Sequence, residues 1–266
     1  MSPKISIGLA TDKSYYKSTA QGGGSFDPDA TAFLTAAGIT DSTQQSAVNQ
    51  LVLDMKTANI WSKMLAVYPF VGGTATSHKW NLVNPINSNA AYRLIFSGGW
   101  IHNSLGIEMN GGNTQAETYV TSNNGNDRAL SAYLTQRASG SQHVVMGAYN
   151  SGMLGIRSEV TRDLFHNNSG TSPKAVTPSS VEPFVGLSRI ASNDWFAQNG
   201  NNEFNNYTDA SPSVTRTLKI GNFNGTSWRG DHQLGFVHIS TTLTQSEMTD
   251  LRTAVIAFQT TLGRNV

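Results

Sequence analysis

The sequence contains no cysteine. That excludes disulfides, thiol catalysis and every zinc site built on thiolates. Charge is scarce as well: Asp, Glu, Lys and Arg make up 13% of the chain, well under the roughly 25% of ordinary soluble domains. The net charge is only +1, so neither nucleic acid nor an anionic membrane is expected as a partner. No apolar run approaches the roughly 20 residues that cross a bilayer. The first ten residues lack an apolar core of signal-peptide length, so synthesis in a cytoplasm is expected.

Catalytic signatures are missing too. There is no H-E-x-x-H pair, no G-x-S-x-G elbow, no P-loop and no G-x-G-x-x-G turn. Glutamate occurs only at positions 108, 117, 159, 182, 203 and 247. A glycosidase built on a sandwich places its acid and its nucleophile on one face, as carboxylates alternating along a strand. No E-x-D-x-E run exists. Glu108 and Glu117 are close in sequence but are separated by an Asn-Gly-Gly turn, and they read as surface carboxylates. The chain is therefore expected not to be an enzyme and to need no cofactor or metal. Asn and Asp in the loops at 123–127 and 201–203 are hard oxygen donors of the kind that bind Ca²⁺. Ordinary turn chemistry explains them equally well.

What is present is a run of well-marked helices around a strand-rich middle. Asp27 caps a helix that opens with Pro28 and stops at Gly38. Ala30, Phe33, Leu34 and Ala37 share one face of it. Asp41 caps a second helix, with Val48, Leu51, Val52 and Met55 at helical spacing. The short link makes these two a hairpin. At the other end Thr244 and Glu247 form a capping box, Met248, Leu251, Val255, Phe258 and Leu262 line one face, and Gly263 ends the helix. Each helix is apolar on one side only, so each needs a surface to lie against.

Between Met64 and Ser240 the pattern changes to short strands divided by Gly, Asn and Ser. Strands are expected over Ala91–Phe96, His143–Tyr149, Met153–Val160, Val185–Ile190, Thr215–Ile220 and Gln233–Ser240. Many short strands with such turns indicate a mainly β sandwich or barrel. Residues 1–25 form a separate arm ending in the glycine joint at 22–24. Residues 26–266 are expected to form one domain. Two readings fit the arm: a solvated tail, or a docking segment in which Ile5, Ile7 and Leu9 alternate as a strand beside Tyr15 and Tyr16.

Two blocks carry a family resemblance. WSKMLAVYPFVGGTATSHKW (61–80) and AVIAFQTTLGRNV (254–266) resemble segments of virion proteins of tailed bacteriophages, as do FDPDA (26–30), AGITDSTQQS (37–46) and GGWIHNSLGI (98–107). The likeness covers roughly residues 26–113 and about the last 30. It implies a virion location and other virion proteins as partners, while the docking reading of the arm, a strand added to a neighbouring subunit, points to a homo-oligomer. It also implies a jelly roll of the concanavalin or laminin-G type, with the helical hairpin before it and the C-terminal helix closing it. The implied role is a structural component of the particle, such as a capsid decoration, head fibre or tail appendage, held by the N-terminal arm.

The alternative is a carbohydrate-binding module for host surface glycans. Trp195, Tyr207 and Trp228 lie in polar, Gly/Asn-rich surroundings, with Asp231 close to Trp228. An indole beside Asp and Asn can stack on a sugar while polar groups bond its hydroxyls. The same tryptophans can instead cap the core or sit at a subunit contact.

Overall fold

In a computed structural model the described residues are 25–110, 113–122, 127–138, 143–149, 153–159, 162–168, 174–176, 183–191, 193–199, 203–208, 216–222 and 231–266. The helical hairpin forms as the caps dictate. Helix α1 spans Pro28–Ala37, with the Asp27 carboxylate accepting from the Asp29 amide. Gly38 closes it in the left-handed region at φ 67°. Helix α2 spans Ser42–Thr57, capped by Asp41 on the Gln44 amide at 2.8 Å. Lys56 reaches back from α2 to Asp27 and Asp29, each at 2.7 Å, which ties the two helix ends together. A short helix α3, Ala75–His78, follows. Helix α4 spans Gln245–Thr261 and begins with the reciprocal Thr244–Glu247 capping box.

The described strands form two antiparallel sheets. The first contains β1 (Met64–Tyr68), β3 (Trp100–Asn103), β4 (Gly106–Met109), β6 (Ala129–Gln136), β11 (Phe184–Ala191), β12 (Asp194–Asn199), β13 (Glu203–Tyr207) and β15 (Gln233–Ser240). The second contains β2 (Ile95–Ser97), β5 (Gln115–Thr121), β7 (Val144–Tyr149), β8 (Met153–Ser158), β9 (Asp163–Asn168), β10 (Lys174–Val176) and β14 (Thr217–Ile220). Their orders are β13-β12-β11-β6-β15-β4-β3, with β1 also on β15, and β10-β9-β8-β7-β14-β5-β2.

Three layers enclose two apolar cores. One lies between the sheets and includes Tyr68, Leu130, Ile156, Trp195 and Val237. The other lies between the helices and the outer face of the first sheet. It joins Phe33, Val52, Leu251 and Phe258 of the helices to Tyr133, Phe196 and Phe236 of the strands. Central strands β6, β11 and β15 are therefore buried on both faces. Close approach of α4 needs a glycine at 235: a Cβ there would meet Gln259 Oε1 at 3.0 Å and Thr135 Cγ2 at 2.9 Å.

The expected strands over 143–149, 153–160, 185–190, 215–220 and 233–240 appear with small boundary shifts. The expected strand Ala91–Phe96 does not. Asn89–Ala91 is a 3₁₀ turn, Tyr92 adopts φ 60°, and β2 starts only at Ile95. Ser88 accepts from the Ala91 amide and so captures the backbone for a turn.

Candidate functional site

Of the four residues proposed for sugar binding, Trp228 lies outside the described residues, Trp195 and Tyr207 stack on each other, and Asp231 lies apart from them. Trp195 is 1% exposed and belongs to the inter-sheet core. It is the second residue of β12, pairs in register with Tyr207 of β13, and stacks on that ring at 4.4 Å and 29°. The Tyr207 ring also takes the Lys174 ammonium at 5.7 Å from its centroid. Both aromatic faces that a sugar would need are therefore engaged within the fold. Of the two readings left open for Trp195, sugar platform or core residue, the structure shows the core one, because alternation along β12 turns Trp195 and Ala197 inward. Trp195→Ala should cost about 3–5 kcal/mol through lost packing. A thermal melt checks this: a variant that keeps the parent's melting temperature contradicts a core role.

Asp231 lies at the other end of the sandwich. Trp195 and Asn199 are four residues apart on β12, about 13 Å. Asn199 Nδ2 donates to Asp163, and the Arg137 guanidinium holds the same carboxylate through two contacts of 2.8 and 3.2 Å. Arg137 also donates to Ser158 Oγ at 2.7 Å, and His232 Nε2 donates to the Ser158 carbonyl at 3.0 Å. Asp231 precedes His232 and sits 3.3 Å from His143 Nδ1. Glu159 gathers Arg157 at 3.3 Å and Arg162 at 2.7 Å nearby. This cluster is dense in charge, yet its centre is closed: the Asp163 side chain is 0% exposed. It acts as a polar plug joining strands of both sheets. Sequence reasoning missed it because its members are scattered from position 137 to position 232.

A serine–histidine contact also occurs. Ser131 Oγ and His238 Nδ1 are 2.8 Å apart, the spacing of a nucleophile and its base. Both residues are 0% exposed beneath the helical layer, so no substrate reaches them. Glu108 and Glu117 fall on β4 and β5, strands of different sheets, and Glu117 lies 3.7 Å from Lys219. Among the described residues no group of three or more His, Asp or Glu could hold a metal ion. Much of the proposed calcium loops, along with Trp228, Ile5, Ile7, Leu9, Tyr15 and Tyr16, lies outside the described residues.

The histidines are where the electrostatics stand out. Burial pushes His238 down to about 3. Burial first, then His143, also pushes His232 to about 3. His78 falls to about 3 through burial, then His102 and Arg264. The Gly73 amide donates to His78 Nε2 at 3.2 Å, so His78 Nδ1 carries the hydrogen and donates to His102 Nδ1 at 3.0 Å. All three buried rings are thus neutral in the fold and become charged on unfolding below about pH 6.5. Their stabilising effect is complete above that pH and is lost as pH falls toward 3. Each should tilt stability by up to about 1.4 kcal/mol per pH unit across that window. Denaturant titrations at pH 7 and pH 4.5 should show a large fall, which Ser131→Ala with His238→Met reduces. Equal stability at the two pH values contradicts neutral burial.

Fold and clusters together define a helix-backed β-sandwich. No family model matches the sequence, and no curated protein sequence does either. Among solved structures the chain is similar to domain 4 of an extracellular arabinanase from Geobacillus stearothermophilus, solved with arabinotriose. That match has 11% identity and a TM-score of 0.46, over 71% of this chain and 98% of that one. It is also similar to part of Trypanosoma rangeli sialidase, at 11% identity and a TM-score of 0.47, over 78% of this chain and 38% of that one. The chain thus spans well under half of the sialidase. Likeness at this level carries no conclusion about ligand or activity.

Proposed function

We propose that this chain is a structural component of a tailed bacteriophage particle, held there by its N-terminal arm. The supporting observation is how the two main virion-like blocks meet. Arg264, after the stop of α4, turns back under the helix and donates to the Phe70 carbonyl at 3.0 Å. Lys63 pairs with Glu247 at 2.5 Å across the same boundary. Residues 61–80 and 254–266 thus build one unit, the helical layer and the strand it covers. The similar segment 98–107 forms β3 and β4 at the edge of the first sheet. We assign the sandwich to the jelly-roll type. In support, β5–β6, β6–β7, β13–β14 and β14–β15 are each consecutive strands in opposite sheets. A role in binding host glycans now rests on Asp231 and Trp228, since Trp195 and Tyr207 are engaged with each other.

Deleting residues 2–21 should leave a domain with the parent's melting temperature that is missing from purified virions. Incorporation at the normal level would show that the anchor lies elsewhere.

A further inference from the structure

Strands β2 and β3 end the two sheets on the same flank of the sandwich, joined by Gly98 and Gly99. Among the described residues neither has a further strand beyond it. Ile95 at 36%, Ile101 at 39% and Leu105 at 43% are exposed on this flank, Ile95 and Ile101 facing outward from their sheets because they alternate with Phe96 and Trp100. Between the two edges Phe96 and Trp100 are only half-buried against the inter-sheet core. They meet edge to face at 5.5 Å, and Phe96 meets His102 at 4.7 Å. The flank is rigidly held. The Trp100 indole donates to the Gln115 carbonyl at 3.1 Å, and a Cβ on Gly99 would lie 2.3 Å from the Asn110 carbonyl oxygen. The opposite flank differs, because its edge strand β13 reads Glu-Phe-Asn-Asn-Tyr and its Asn206 bonds Gln245 of α4. An apolar, unpaired edge is a template for an added strand.

We propose that residues 4–10 of a second copy of this chain add to the open edge of β3. The sequence of the arm fits this edge. Ile5, Ile7 and Leu9 fall on one side of an extended segment, and Lys4, Ser6 and Gly8 on the other. With the apolar side inward, the three side chains cover Phe96 and Trp100. Lys4 then lies on the face that carries Ile101 and its register partner Glu108. Charge agrees, since residues 1–24 hold three lysines against one aspartate. The 15 residues 10–24 span up to about 50 Å when extended, enough to leave the parent domain. The choice of a second copy as donor rests on the particle-protein reading above; the match between arm and edge does not.

Sedimentation and hydrogen exchange of the full-length chain test this without any virion, so failure here leaves the particle role to its own test. The full chain should self-associate, and the amides of residues 100–103 should slow as concentration rises. Ile101→Lys and Ile7→Asp should each weaken association by roughly tenfold or more. Ile190→Lys, at a site 45% exposed elsewhere on the surface, should not. Unchanged melting temperatures for Ile101→Lys and Ile190→Lys confirm that the domain is intact. A monomer with unprotected 100–103 amides overturns the proposal. So does a monomer whose 100–103 protection depends on Ile7, because the arm would then sit on its own edge. Self-association indifferent to Ile101 and Ile7 also overturns it.

Discussion

Leu251→Asp should unfold the protein under conditions where the parent is stable. Leu251 is 0% exposed on α4, and the core it faces is made of α2 and the outer face of the first sheet. Burying an unpaired carboxylate there costs several kcal/mol, against a total stability of about 5–15 kcal/mol. Phe258→Asp, at 2% exposure two turns further along the same face, should behave the same way. Far-UV circular dichroism during heating measures both. If either variant melts within a few degrees of the parent, α4 is not seated on the sheet.

Arg137→Ala should be nearly as damaging at the far end of the sandwich. It leaves the fully buried Asp163 carboxylate with Asn199 but without its bidentate partner. Breaking a buried pair from one side costs about 3–5 kcal/mol, while replacing both partners by apolar groups of similar size can be close to neutral. Arg137→Met combined with Asp163→Leu should therefore be much more stable than Arg137→Ala. A denaturant double-mutant cycle decides the point. Single and double variants of equal stability would mean that the pair carries no coupling and the plug is held by something else.

The helices were legible because their signals are local. Asp27, Asp41 and Thr244 are caps, Gly38 and Gly263 are stops, and the apolar spacing between them follows the helical period. Strand β6 was not legible, although it is central. Its residues from Ala129 to Leu134 face a core on both sides, so the alternation that reveals a half-buried strand is lost. Strands β3 and β4 show no strand signal in the sequence, because four residues are too few to show a period. The candidate site was less legible for a different reason. Polar neighbours in sequence leave Trp195 open to either an exposed or a core role, and the pleat of β12 decides it by turning the side chain inward. The sequence around Asp231 could not reveal that Asp231 and Trp195 occupy opposite ends of the sandwich. The polar plug around Asp163 needs tertiary contacts across 95 residues, from Arg137 to His232, which no spacing rule encodes.

A particle-bound role is tested most directly by electron microscopy of purified virions labelled with antibody to this chain. The virion reading predicts label at a fixed, repeated position on the particles. Unlabelled particles, with the protein recovered only in the soluble fraction of the lysate, would contradict it.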